Sequence, residues 1–219
     1  MSLTLIRRDI ILALRSGGAW LYALFFFAVF IALSAIALGG SHELMRPIAP
    51  ALIWLALIFS AMLSFPSIFR SDYDDGTLIQ FQLSGVSLLS LCTAKAISFT
   101  LLSILPLILS VPIAALFFDL PASVTFACLI SLCLAAPAIA SYGTLAAAIL
   151  AGRRSGGFLI VLMTTPFLVP LLIFGLEAVS GYKAEGLGAL EFRVLIGLSL
   201  IGASVGLPAA AAALKAQLE

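Results

Sequence analysis

Apolar positions fill this chain in long unbroken runs, and polar positions gather in short intervals between them. The runs cover about 19–38, 48–69, 88–118, 123–150, 158–179 and 194–213. A helix needs about 20 apolar residues to cross a hydrocarbon layer roughly 30 Å thick. The pattern therefore predicts six membrane-spanning helices. Run 88–118 is too long for one straight crossing, so its first turns, with Lys95, are expected to skim the surface while the lysine stem snorkels. Pro106 and Pro112 should kink this run, and Pro166 and Pro170 should bend the fifth. Pro50 falls in the first turn of its span, where a missing N–H costs little. The intervals are a short loop at 39–47, a polar run at 70–82, a tight turn at 119–121, a basic turn at 152–157 and a mixed stretch at 180–193.

The first 16 residues follow a different pattern. Leu3, Ile6, Ile10, Ala13 and Leu14 share one helical face, with Arg8 and Arg15 roughly opposite and Leu5 and Leu12 near the polar side. This predicts a helix lying in the membrane interface, with Gly17-Gly18 as an elbow into the first span. Trp20 and Tyr22 would sit at the interface. The apolar run after Arg7-Arg8 is longer than the core of a signal peptide, so it is expected to be a retained membrane helix.

Composition agrees with the pattern. Hydrophobic residues make up 63% of the chain, charged residues 10%, and mean hydropathy is +1.25. A soluble domain carries roughly a quarter charged residues. So little polar surface implies one all-α integral membrane domain over residues 1–219. The placement of charge sets its orientation. Arg7, Arg8, Arg15, Arg70, Lys95, Arg153, Arg154 and Lys215 fall on the side of the termini, and Arg46, Lys183 and Arg193 on the other. That bias predicts both termini in the cytoplasm.

The run 70–82 is the most polar in the chain. Asp72, Asp74 and Asp75 cannot sit in hydrocarbon, so water or the interface is expected around them. Any of the three can cap a short surface helix over about Thr77 to Leu83, with Leu78 and Phe81 or Ile79 and Leu83 turned toward lipid or protein. A solvated loop and a docking element for a soluble partner both fit this composition.

The catalytic motifs are absent. There is no phosphate-binding G-x-x-x-x-G-K-[ST] loop, no H-E-x-x-H and no G-x-S-x-G. Cys92, Cys128 and Cys133 lack metal-ligand spacing and read as packed side chains. The one histidine, His42, excludes a multi-histidine site; it is either a haem ligand or a loop residue without such a role. Glu177, near the outer end of the fifth run, is the main ionisable candidate at membrane depth, either for cargo or for snorkelling. Trp54, Phe59 and Phe65 either line an apolar path or pack. Gly202-Ala203-Ser204-Val205-Gly206 permits close helix approach. No repeat relates residues 1–120 to 121–219, which removes support for an inverted-repeat carrier. With no acid–base groups converging, the chain reads as a passive moving part whose energy arrives from outside.

Three blocks together resemble the CcmB family. They are Ile48-Ala49-Pro50-Ala51-Leu52-Ile53-Trp54, then Phe69-Arg70-x-Asp72-x-x-Asp75-Gly76-Thr77-Leu78-x-Gln80, then Arg153-Arg154-Ser155-Gly156-Gly157-Phe158-Leu159 leading to Pro166-x-x-x-Pro170-Leu171-Leu172-Ile173-Phe174. CcmB, or haem exporter protein B, is the membrane subunit of the ABC transporter of cytochrome c maturation. The resemblance implies an ABC-2 or type V exporter-like fold with an interfacial N-terminal helix, a cytoplasmic coupling helix between spans two and three, and short outer helices between spans five and six. It implies a homodimer in the bacterial inner membrane, bound to the ATP-binding subunit CcmA and working with CcmC, CcmD and the haem chaperone CcmE. On this resemblance Asp72, Asp74, Asp75, Gly76, Thr77, Leu78 and Gln80 dock the ATPase, and Arg153 and Arg154 form a cytoplasmic turn. Haem is then cargo, ATP belongs to the partner subunit, and His42 is a weak haem-ligand candidate. The expected contacts are membrane lipid and protein, not nucleic acid. The sequence departs from the family pattern at Ile79, where the family carries glutamate. An ABC-2-type permease for a lipid, glycan or drug is the alternative, and a non-transporting scaffold is a third reading.

Overall fold

The computed structural model describes residues 2–16, 18–39, 41–152 and 156–218. The described residues form helices and turns, with no strand among them. In order these are α1 (Ser2–Ser16), α2 (Ala19–Ala37), α3 (His42–Ser64), α4 (Ser67–Asp74), α5 (Thr77–Leu83) and α6 (Leu88–Phe99). A π turn over Thr100–Ile104 leads to α7 (Leu105–Leu109), α8 (Val111–Phe117), α9 (Ala122–Ile149) and α10 (Gly156–Glu185). A 3-10 turn at Gly186–Gly188 precedes α11 (Leu190–Leu218).

Among the described residues, six segments are long and apolar enough to cross a membrane: Trp20–Ala37, Glu43–Asp74, Leu88–Phe117, Ala122–Ile149, Gly157–Tyr182 and Leu190–Leu218. The protein is an all-α, multi-pass membrane protein. Two intervals are shorter than their polar composition suggests. Helix α3 already starts at His42, because the left-handed Gly39 (φ 67°) reverses the chain tightly. Helix α10 continues through Ser180–Glu185, a stretch without proline, until the left-handed Gly186 (φ 60°) ends it. One 3-10 turn at Gly186–Gly188 therefore separates the last two spans, in place of short outer helices.

The third span is broken where its prolines predict. Pro106 has no N–H for the carbonyl of Leu102, and its ring crowds that carbonyl. The backbone widens into the π turn just before it. A second interruption at Ser110 precedes Pro112, and the Ser110 hydroxyl donates to the Pro106 carbonyl at 2.8 Å.

Helices α3 and α9 form the interior, and α9 packs along both α10 and α11. Lipid supplies no hydrophobic drive between helices, so close approach and interhelical hydrogen bonds must hold them together. The α9–α11 seam has both. A Cβ at Gly202 would stand 3.0 Å from Ala138 Cα, and one at Gly206 would stand 3.3 Å from Ser141 Cβ. Ser199 Oγ–H donates to the Leu134 carbonyl across the same seam. The glycine pair thus joins two helices of one chain.

Trp54 packs against Gly175 of α10, and its indole N–H donates to Ser131 Oγ at 3.3 Å. Phe65 covers Gly143 and meets Phe99 with ring centroids 5.5 Å apart. Trp54 and Phe65 are therefore packing residues, while Phe59 is exposed and meets Phe30 at 6.3 Å. At the end of the bundle away from the termini, Arg46 holds the turn at Asp119, through its carboxylate and, at 3.0 Å, its carbonyl oxygen.

Candidate functional site

The polar run after the second span folds into two short helices, α4 and α5, bent around Gly76. Phe65 and Pro66 offset α4 from α3. Helix α4 then runs to Asp74, because no breaker comes before Gly76. Gly76 takes the left-handed conformation (φ 69°), and its N–H reaches the Tyr73 carbonyl at 3.1 Å. This is a glycine helix stop, which a side chain would disfavour. Helix α5 ends in the same way at Gly85 (φ 72°), whose N–H reaches Gln82 O at 3.2 Å.

The capping expected of Asp72, Asp74 or Asp75 is therefore not observed. The first two lie in the last turn of α4, Asp75 is its C-terminal cap, and α5 starts without a side-chain cap. Backbone geometry at Gly76 does the work assigned to the carboxylates.

The acids also part company. Asp74 and Asp75 are exposed; Asp74 faces Arg70 at 3.8 Å, and Asp75 accepts from Ser71 Oγ at 3.5 Å. Asp72 is 3% exposed, against the aqueous setting expected for it. Its two carboxylate oxygens meet Arg8 Nη2 of α1 and Lys95 Nζ of α6. Lys95 also meets Asp9 at 3.0 Å, so it is buried in a cluster instead of snorkelling. Arg8 completes the group, 3.9 Å from Asp9. Two cations balance two carboxylates, as buried charge requires. Burial pushes the Asp9 carboxyl above its ordinary value, and the neighbouring Lys95 ammonium pulls against that shift.

The guanidinium of Arg8 also lies over the Phe81 ring, 5.0 Å from its centroid. Leu78 is fully buried and Phe81 half-buried, so this pair is the inner face of α5. Ile79, Gln80, Gln82 and Leu83 face outward, with Leu83 83% exposed. Thr77 is half-buried at the bend. Tyr73 leans on Gly152 of the turn after α9, where a Cβ would stand 2.3 Å from its ring. Gln217 of α11 donates to the Ile149 carbonyl beside that turn. One end of the bundle thus gathers α1, α4, α5, the α9–α10 turn and the end of α11.

Arg153 and Arg154 lie outside the described residues, as does the side chain of His42. The backbone of His42 opens α3 at the opposite end of the bundle. Glu177 is exposed on α10. Among the described residues no group of three or more histidine, cysteine or acidic side chains is arranged to hold a metal. The roles of Arg8, Asp9 and Lys95 were not read from the sequence: the Arg8–Asp72 contact spans 64 positions. The only available signal was an aspartate and a lysine placed inside stretches otherwise fit for burial.

A family model described as "CcmB protein" matches residues 1–217. The chain is similar to "Heme exporter protein B" of Haemophilus influenzae, 36% identical over 99% of this chain and 98% of that protein. It is also similar to the proteins of that name from Rhodobacter capsulatus, 35% identical over 98% of each chain, and from Escherichia coli K12, 28% identical over 97% of each.

Proposed function

The chain belongs to the CcmB family, and from that premise we propose that it is the permease subunit of an ABC-type haem exporter serving cytochrome c-type biogenesis. The membrane is the bacterial inner membrane, with both termini and the α4–α5 bend in the cytoplasm. The excess of basic residues on that side supports this orientation. Two copies pair in the membrane. Each takes work from a separate ATP-hydrolysing subunit of the CcmA type, and the complex includes CcmC, CcmD and the chaperone CcmE. The chain itself catalyses nothing. Haem is the cargo of the complex, either carried through it or released with its loaded chaperone.

One observation carries this reading. Helix α5 is a short stiff lever between two left-handed glycines, anchored inward by Leu78 and Phe81 and bare outward at Ile79, Gln80, Gln82 and Leu83. Ile79 replaces an acidic contact with an apolar one, so docking here rests on burial of Ile79 and Leu83 with hydrogen bonds from the two glutamines. When ATP closes the partner subunits, α5 is pushed. Arg8 on Phe81 passes the displacement to α1, and Asp72 passes it through Lys95 to α6. Above Lys95, the π turn and the breaks at Pro106 and Pro112 divide the third span into rigid pieces with hinges.

Co-purification of the ATPase subunit tests the docking role. Ile79→Arg with Leu83→Arg, which sets a charge opposite in sign to the family's glutamate on this face, should abolish recovery of the ATPase while the permease still inserts and melts as wild type. Unchanged recovery together with unchanged ATP turnover would overturn the assignment.

A further inference from the structure

Beside the ion cluster lies a cavity of about 260 Å³, at the elbow where α1 passes into α2. Arg8, Asp9, Asp72 and Lys95 line it together with the apolar Ile68, Phe99 and Leu102. Two of the lining residues hold a buried donor without a partner. The hydroxyl of Ser98 is 4% exposed and makes no hydrogen bond, and the Trp20 indole N–H is likewise buried and unmatched. A buried donor left unmatched costs about 1–3 kcal/mol, so the cavity is short of an acceptor. The wall behind Ser98 is the π turn, through Leu102 and Ser103. Such widened turns recur at functional sites.

The shape and chemistry of the cavity narrow the occupant. Pockets that enclose a whole drug-sized ligand run from about 300 to 1,000 Å³. This one is smaller, with room for a headgroup-sized part of a ligand and not for a whole drug-sized one. The lining is part apolar and part ionic, and the two donors call for an anionic oxygen. The site stands where an amphipathic helix turns into a membrane span, and Leu21 and Leu101, next in sequence to the lining residues Trp20 and Leu102, are exposed. Charge in the lining is already balanced, so a zwitterion keeps it neutral where an anion would not.

We propose that this cavity binds the headgroup of a zwitterionic aminophospholipid. Its phosphate accepts from Ser98 Oγ–H, the Trp20 indole N–H and Arg8, its ammonium lies against Asp9, and its acyl chains run out along α2 and the third span. A lipid seated there wedges the joint between α1 and α6, so membrane composition bears on how firmly the lever of α5 is held.

Native mass spectrometry of the purified membrane complex tests this, with phosphatidylethanolamine, phosphatidylcholine and phosphatidylglycerol supplied in equal amounts. One phosphatidylethanolamine should stay with each copy of the chain. Ser98→Leu, which fills the cavity, and Trp20→Phe, which removes one donor and keeps the ring, should each weaken its retention about tenfold. Brominated phosphatidylethanolamine at low mole fraction in phosphatidylcholine vesicles should quench Trp20 fluorescence to saturation, and Trp20→Phe should remove that component. Equal retention of all three lipids, no retained lipid (a cavity holding water only), or retention unchanged in Trp20→Phe would each overturn the proposal.

Discussion

Arg8 in the first helix meets the buried carboxylate of Asp72, 64 positions along the chain, and the other oxygen of that carboxylate meets Lys95. One aspartate therefore fastens the N-terminal helix and the third span to the segment between spans two and three. Removing one member of a buried charge pair typically costs about 3–5 kcal/mol, because the survivor stays desolvated. Asp72→Ala leaves Arg8 and Lys95 with Asp9 as their one carboxylate and should destabilise the protein by that order, read as a fall in melting temperature in detergent. Asp72→Leu combined with Lys95→Met should recover most of the loss. Arg8→Ala, acting on a partly exposed side chain, should cost less than Asp72→Ala; an equal cost would mean that Lys95 is not the principal partner.

Gly76 allows stability and the proposed docking role to be tested apart. A Cβ there meets nothing within 4 Å, so a substitution acts through the left-handed backbone alone. That conformation costs a residue with a Cβ about 1–2 kcal/mol. Gly76→Leu should leave the chain inserted and folded but alter the bend between α4 and α5. On the proposed function, ATPase recovery should then fall and ATP turnover should uncouple from haem loading of the chaperone. Gly76→Asn, which tolerates the same conformation better, should retain most of both activities.

The spans were legible because membrane helices follow apolar length. The α5 helix was legible because glycines and polar residues fence it. The inward turn of Asp72 was not, since sequence shows the charge but not the distant Arg8 and Lys95 that neutralise it. Helix ends were missed where a single left-handed glycine, Gly39 or Gly186, replaced an expected loop. The cavity at the α1–α2 elbow left no trace in the sequence, because its two open donors, Trp20 and Ser98, read as an interface aromatic and a span serine.

The α9–α11 seam predicts a steric result. Gly202 has the Ala138 backbone 3.0 Å from where its Cβ would stand, and backbone cannot swing aside. Gly202→Leu should push the helices apart, break the Ser199–Leu134 hydrogen bond and cost about 1–3 kcal/mol. Gly197→Leu, with open space around it, is the matched control and should be near neutral. Crosslinking between cysteines placed along α9 and α11 would register the separation.

Asp9 predicts a dependence on pH. Burial holds its folded-state value above the ordinary 3.8, with Lys95 opposing. Between 3.8 and that raised value the folded protein binds a proton that the unfolded chain has released. Stability must therefore fall as pH rises through this window and level off above it. Asp9→Asn removes the titrating group while Asp72 continues to face Lys95. Melting curves across the mildly acidic range should show this falling component in the wild type and lack it in Asp9→Asn. A difference between the two proteins that runs the other way, with the wild type gaining relative stability as pH rises, would mean that the pull of Lys95 outweighs burial.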